Sequence, residues 1–258
     1  MSDGTYAMGS SLPSQRKLAE ELGVSRDTIQ KALRELAADG WIESRQGSGS
    51  RVLKTPPASR RGVTLGHLVA DAFEQPEVRL DVYTLTSESL AAHILSQVER
   101  VGTREISPER IAVRLLLPDQ TEQLAYPRTK GDPEDQRLQE RLRAVTRHHT
   151  NTMREALAYL RDSAFVSSVD LQVRRAPLTP TFKLYLVNGV EAIMAPYVVT
   201  ERQIDLDSGD VVDALDVLGL GATLTRHLKD ESNPNSPGSV FVESMSAWFE
   251  SVWNHLAE

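Results

Sequence analysis

The chain has 258 residues, 40% of them hydrophobic and 25% charged, so it is long enough for two globular domains and too rich in apolar residues for wholesale disorder. It has no cysteine, which excludes a disulfide framework, zinc–thiolate sites and thiol nucleophiles. No apolar run is long enough to cross a bilayer, and no secretory signal opens the chain. We therefore expect a cytoplasmic protein with no membrane partner.

The net charge of −7 is divided unevenly along the chain. Residues 1–62 carry ten Lys/Arg and seven Asp/Glu, a net charge of +3. The other residues carry nineteen basic and twenty-nine acidic side chains, a net charge of −10. This asymmetry is typical of a DNA-reading module attached to a larger acidic body.

The basic segment has the pattern of a winged helix-turn-helix. Ser14 is the expected cap of a helix that Gly23 ends, and Ser25 caps a second helix that runs to about Asp39 with Ile29, Ala32, Leu33 and Leu36 on its buried face. Two strands, 41–45 and 50–53, then flank the turn Gln46-Gly47-Ser48-Gly49 and form the wing. The second helix presents polar side chains to the major groove: Arg26, Asp27, Gln30, Lys31 and Arg34.

Four sub-motifs in order resemble the GntR family of bacterial transcription regulators: Leu-Pro-Ser-x-Arg-x-Leu-Ala, Leu-Gly-Val-Ser-Arg-x-Thr-Ile, Ala-Leu-x-x-Leu-x-x-x-Gly and Arg-Gln-Gly-x-Gly. The resemblance covers residues 4–53. It implies that Arg16 and Arg26 contact phosphate or base, that Ser25 and Thr28 anchor the second helix on the DNA backbone, and that Gln46-Gly47 enters the minor groove.

The sequence departs from the family pattern in two places and at its start. Asp27 stands where a small or hydroxylated residue is usual, and Gln30 stands where Arg is common, so the family's average specificity does not transfer. The chain begins at the Asp3–Gly9 stretch, which in the family follows a first helix. We expect either that the natural reading frame extends upstream by four or five helical turns or that this member lacks that helix.

Beyond a linker at 54–62, residues 63–258 predict an α/β domain for effector binding and oligomerisation, so the fold class is α/β overall with an N-terminal winged helix-turn-helix. The first predicted elements are a strand at Val78–Thr84, a helix at Ser87–Val98 and a strand at Ile111–Leu117. A polar loop at 118–133 leads into a helix from 132 to about 161. Strands at 169–175, 182–187 and 191–198 and a closing aromatic helix at Val240–Leu256 complete the domain.

Thr181-Phe182-Lys183, with Asn188 further on, weakly resembles half of a phospholipase D-like site, His-x-Lys-x-x-x-x-Asp. Thr181 replaces the nucleophilic His and Asn188 replaces the Asp, so the resemblance implies a non-catalytic pocket that keeps a phosphate-sized cationic site. The candidate ligand-binding residues are Thr86, Ser87, Thr181 and Lys183, because helix N-termini and ammonium groups attract anions. A β-strand with a surface lysine is the structural alternative.

No other pattern points to chemistry. The histidines lack metal-ligand spacing, so we expect no metal and no cofactor, and no enzyme is predicted. The C-terminal aromatic stripe is expected to pack in a core or a dimer seam. The predicted function is a dimeric regulator that binds double-stranded operator DNA under control of an unknown small-molecule effector, for which the cationic pocket suggests an anion. Two alternatives stay open: a phosphodiester-processing enzyme targeted by a DNA-binding head, and a DNA-bound scaffold without a ligand.

Overall fold

The computed structural model of the chain describes residues 10, 12–22, 33, 42–45, 49–52, 64–132, 134–206, 208–218 and 224–258. By its internal contacts the chain divides into two compact units, Met1–Arg61 and Gly62–Glu258. The two units are built differently.

The first unit contains the predicted first helix and the predicted wing. Helix α1 spans Gln15–Leu22 and begins where the Ser14 hydroxyl accepts from the Lys17 backbone N–H at 3.3 Å, which confirms Ser14 as its cap. Strands β1 (Ile42–Arg45) and β2 (Gly49–Val52) pair antiparallel, as the wing requires.

A third stretch of backbone extends this small sheet. The Leu12 N–H donates to the Ser50 carbonyl at 2.8 Å, and the Val52 N–H donates to the Ser10 carbonyl at 2.9 Å. Leu18, Leu33, Ile42 and Val52 are all buried, and Leu33 is helical, as its place in the predicted second helix requires. The rest of the predicted helix at 25–39 lies outside the described residues.

The second unit is built on a six-stranded mixed sheet with the order β11-β8-β7-β3-β4-β6. Three strands are parallel and adjacent: β3 (Glu77–Tyr83), β4 (Arg110–Pro118) and β6 (Ser168–Ala176). The other three continue the sheet antiparallel: β7 (Phe182–Val187), β8 (Glu191–Pro196) and β11 (Thr225–Leu228). The predicted mixed α/β architecture is therefore confirmed.

Helices cover both faces of this sheet. Three helices pack on one face: α2 (Leu65–Phe73), α3 (Glu88–Gly102) and α4 (Arg137–Asp162). Helix α5 (Pro237–His255) packs on the other face through Phe249, Val252 and Trp253. Because strand side chains alternate, Leu115 and Tyr185 belong to the first core, whereas Leu116 and Leu184 belong to the second.

A second sheet of three strands, in the order β5-β10-β9, was not foreseen in the sequence. It consists of β5 (Arg128–Thr129), β9 (Val198–Asp205) and β10 (Val211–Leu218). Two predictions were wrong in detail here. The loop at 118–133 contains β5, and the single strand expected at 191–198 ends at Pro196, since proline has no N–H for a ladder.

The long helix also starts later than expected. It begins at Arg137 rather than near residue 132, and the Asp135 carboxylate accepts from the Arg137 backbone N–H at 3.0 Å. This aspartate therefore satisfies one of the unpaired N–H groups at the helix start. Five apolar residues of the helix are buried: Leu138, Leu142, Met153, Leu157 and Leu160.

Candidate nucleic-acid interface and ligand site

Arg16 is the member of the predicted DNA-contacting set that the structure describes. It lies in the first turn of α1 and is exposed, whereas Leu18 on the same helix is buried. On β2, Arg51 is also exposed. The remaining predicted contacts lie outside the described residues: Ser25, Arg26, Asp27, Thr28, Gln30, Lys31, Gln46 and Gly47.

The predicted ligand residue Ser87 lies immediately before α3 and is fully buried. Its hydroxyl makes no cap hydrogen bond to α3 and instead pairs with the hydroxyl of Thr150 on α4 at 3.1 Å. Thr86 is half-buried, and its carbonyl accepts from the Thr84 hydroxyl at 2.9 Å. Both residues are thus engaged in contacts within the protein.

The other two predicted ligand residues lie at the start of β7. Thr181 is exposed, and Lys183 is buried with 9% of its surface accessible. This burial lowers the pKa of the Lys183 ammonium group, because desolvation disfavours its charged form. Leu184 pairs with Tyr83, the last residue of β3. Lys183 therefore lies at the end of the sheet where β3 stops and the chain continues to Ser87.

Tyr197 connects the two predicted stretches, and sequence reasoning missed it. Its hydroxyl accepts from the Leu85 backbone N–H at 3.0 Å and shares a hydrogen bond with the Thr84 hydroxyl at 3.0 Å. Its own backbone N–H donates to the Thr181 carbonyl at 2.9 Å. Burial raises the pKa of the Tyr197 phenol, so this hydroxyl stays protonated. No local sequence signal identifies Tyr197, because its partner Leu85 lies 112 positions away along the chain.

Asn188, the second position of the phospholipase D-like resemblance, has a structural role. It occupies the turn between β7 and β8 with φ of 52°, a left-handed conformation that asparagine tolerates. Its side-chain oxygen accepts from the Arg79 backbone N–H at 2.7 Å. Asn188 and Lys183 stand at opposite ends of β7, so the structure does not bring them together.

A cavity of about 700 Å³ opens near Ser87, and none of the four predicted ligand residues lines it. Thr150, the hydrogen-bond partner of Ser87, belongs to its wall together with arginines from α4 and β6. Arg143, Arg147 and Arg154 recur at helical spacing on α4, which was the signal available in the sequence.

Two further features bear on ligands and membranes. The rings of His148 and His149 meet edge to face at 4.9 Å, and no group of three or more His, Cys, Asp or Glu side chains suited to a metal occurs among the described residues. Within the same residues, every helix is too short or too polar to cross a membrane.

Residues 1–52 match the family model described as "Bacterial regulatory proteins, gntR family". The chain is 30% identical over 122 residues to the uncharacterized HTH-type transcriptional regulator YisV of Bacillus subtilis, covering 42% of this chain and 22% of that protein. It is 29% identical over 94 residues to the fatty acid metabolism regulator protein of Haemophilus influenzae, covering 36% of this chain and 39% of that protein.

Among solved structures, a Streptococcus agalactiae GntR is similar at 26% identity and a TM-score of 0.19, over 40% of this chain and 56% of that one. The chain spans between about a fifth and two fifths of the length of the curated relatives named above.

Proposed function

We propose that the chain is a transcription regulator that binds double-stranded operator DNA through residues 1–52, the segment that matches the GntR family model of bacterial regulatory proteins. The family match to residues 1–52 carries the proposal. The helix capped by Ser14 and the antiparallel wing agree with it, and so does the net charge of +3 on residues 1–62. Positive charge supplies the sequence-independent part of DNA affinity.

The finer proposal is a cytoplasmic homodimer whose operator affinity an effector controls. A dimer on a palindromic site is expected because one helix-turn-helix seldom gives enough affinity, and the half-sites would lie about one helical turn or a multiple of it apart. The acidic second unit repels DNA and leaves contact to the basic segment. The effector acts by favouring one arrangement of the two DNA-binding segments over another.

Arg26 provides the first prediction. Operator fragments are first selected from genomic DNA with the wild-type protein, and their affinity is then measured by gel shift at fixed salt. Arg26→Ala should weaken operator binding by roughly 1–3 kcal/mol if the guanidinium reads a base. The same variant should lose less affinity for an unrelated duplex, because base contacts carry the specificity.

Arg161→Ala is the matched control, because Arg161 is an exposed arginine of α4 that is paired with Asp162 and has no proposed role at DNA. It removes the same charge and should leave operator affinity unchanged. Equal operator affinities for wild type and Arg26→Ala would refute the docking of the second helix in the major groove. Loss of specific binding by both variants would mean that the lower net charge, and not a base contact of Arg26, causes the effect.

The phosphodiesterase alternative gains no support from the second unit. Thr181 stands where the phospholipase D-like chemistry needs a histidine, so a phosphohistidine intermediate cannot form at this position. Asn188 is engaged with the Arg79 backbone in a turn. The phospholipase D-like resemblance itself stays a prediction, and turnover of a generic phosphodiester substrate by the purified chain would revive the enzyme.

A further inference from the structure

The cavity of about 700 Å³ lies at the carboxyl edge of the parallel strands. Its walls are α4, the end of the sheet-edge strand β6 and the residues that follow β4. Ligands of open α/β sheets bind outside the carboxyl ends of parallel strands, and the volume lies in the range of small-molecule sites. The position and the size therefore suit a small ligand.

Four arginines line this cavity, and none of them forms a direct ion pair with a residue that the structure describes. Arg143, Arg147 and Arg154 come from α4, and Arg175 comes from β6. The Arg143 Nε donates to the Gln120 carbonyl at 2.9 Å, and the Arg154 Nη1 donates to the Asn151 side-chain oxygen at 2.8 Å. Throughout the described ranges, no carboxylate lies within 4.0 Å of any of these four guanidinium groups.

The lack of pairing distinguishes these arginines from most others in the second unit. Eight arginines elsewhere in that unit each contact a carboxylate: Arg79, Arg100, Arg110, Arg114, Arg137, Arg161, Arg202 and Arg226. The unit as a whole is acidic, so carboxylates are plentiful. Four unpaired arginines around one cavity repel one another, and a bound anion would relieve that repulsion.

Of the described residues that line the cavity, Asp119 is the single acidic one. Its carboxylate accepts from the Thr121 backbone N–H at 2.9 Å and from the Thr121 hydroxyl at 2.8 Å. These hydrogen bonds, with a smaller contribution from Arg175, hold the pKa of Asp119 below its usual range. The carboxylate is thus charged and already engaged, and the positive charge of the cavity still predominates.

We propose that this cavity is a binding site for a small polyanion that carries two or more phosphate or carboxylate groups. Guanidinium groups bind both anions with two parallel hydrogen bonds, and the hydroxyl of Thr150 and the amide of Asn151 add polar partners. Arg143 and Arg154 are eleven residues apart, about 16 Å along the helix axis, so the anionic groups of one ligand can engage different members of this row. The arrangement favours a ligand with more than one anionic group over a singly charged one.

Hydrogen bonds connect the residues that line the cavity to neighbouring elements of the second unit. Thr150 lines the cavity and bonds to Ser87 at the start of α3, and Thr146 on the same helix accepts from the Gln120 side chain at 3.1 Å. A ligand held by α4 therefore acts on the α3–α4 pair. The claim that the effector binds in this cavity rests on the proposed function. Binding of a polyanion to the cavity does not depend on DNA.

The test measures binding of pyrophosphate and of citrate to the full chain by calorimetry, with sodium chloride matching the ionic strength. Wild type should bind at least one of them, and Arg147→Gln/Arg154→Gln should weaken that binding by more than about tenfold, because charge-assisted hydrogen bonds are the strong ones. Both positions are exposed, so the variant should unfold at the wild-type temperature or above it without ligand.

Two matched variants locate the site. Arg141→Gln removes an exposed arginine of α4 that does not line the cavity, and Lys183→Ala removes the lysine predicted from sequence; both should bind as wild type does. The proposal is overturned if wild type binds neither probe, if the double variant binds equally well, or if Lys183→Ala alone loses binding. The proposal is also overturned if a short duplex of unrelated sequence displaces the probe from wild type and the double variant no longer binds that duplex. That result would mean that these arginines bind nucleic acid rather than a small polyanion.

Operator binding is followed separately by gel shift. Polyanion binding without operator binding would contradict the proposed function and leave the site intact.

Discussion

Arg114 shows how one residue ties the large sheet to the helix that covers it. It projects from β4 toward α5, where its guanidinium contacts Asp81 at 2.5 Å and Glu250 at 2.5 Å. The same group lies over the rings of Phe249 and Trp253, at 5.1 Å and 5.3 Å from their centroids. Charge pairing and cation–π contact therefore hold α5 in register on the sheet.

Glu250 gives a pH-dependent prediction. Hydrogen bonding to Arg114 lowers the pKa of Glu250 below its ordinary value of 4.5. A carboxylate with a lowered pKa stabilises the fold above its unfolded pKa, and that stabilisation is lost as the pH falls through the folded pKa. Because Glu250 is 43% exposed, Glu250→Gln should reduce the free energy of unfolding by about 1 kcal/mol at pH 7.

The difference in the free energy of unfolding between wild type and Glu250→Gln should shrink toward zero when urea unfolding is repeated at pH values below 4.5. Glu155→Gln is the control, since Glu155 is an exposed glutamate of α4 without an ion pair within the described part of the chain. It should change the free energy of unfolding by less than about 0.5 kcal/mol at either pH. A difference that does not vary with pH would contradict the ion-pair explanation.

At the scale of elements, α5 and β11 approach each other closely at one glycine. Gly238 lies in the first turn of α5, and a Cβ placed on it would overlap the Leu228 carbonyl oxygen of β11. Ser236 caps the helix there by accepting from the Ser239 backbone N–H at 3.1 Å, and the Ser239 hydroxyl bonds back to Asp230 and Asn233. The start of α5 is thus fixed by backbone proximity and by a hydroxyl network.

Gly238→Ala should therefore destabilise the fold by roughly 1–3 kcal/mol, because backbone rather than a flexible side chain must move. Gly102→Ala is the matched variant at the end of α3, where a Cβ meets nothing within 4 Å. It should stabilise the fold by about 0.5–1 kcal/mol, since alanine loses less entropy in a helix. Thermal melting of both variants measures the contrast, and equal melting temperatures would disprove the close approach.

Helix α4 both packs into the core and lines the cavity. Its buried apolar residues join the core, and Thr146 and Thr150 place hydroxyl groups against neighbouring elements. Its arginines line the cavity on a different side. Sequence periodicity identified the apolar side, but a row of arginines on a helix has the same pattern as a solvated face.

On the scale of the whole molecule, the apolar clusters described for the second unit lie between Leu65 and Trp253. Residues 62–258 should therefore fold without residues 1–61. We expect the fragment 62–258 to unfold cooperatively in urea and to keep its polyanion binding, but to lose operator binding. A fragment that shows no cooperative transition would mean that the second unit depends on the first.

The sequence by itself determined the elements whose signals are local. The cap at Ser14, the hairpin of β1 and β2, and strands β3, β4 and β7 follow from turn residues and apolar alternation, and the charge division pointed to a DNA-reading segment. The family pattern depends on short motifs, which is why it could be recognised in residues 4–53. Local patterns need no knowledge of distant neighbours.

Only the tertiary structure decided which distant residues meet. Tyr197 lies 112 residues from Leu85 along the chain yet bonds to its backbone, and Arg175 joins Arg147 at one cavity. Strand β9 is largely exposed and lacks a clear period, whereas its partner β10 buries alternate residues such as Val212 and Ala214. Which arginines are paired depends on where every carboxylate lies, and that arrangement exists only once the sheet and its helices have assembled.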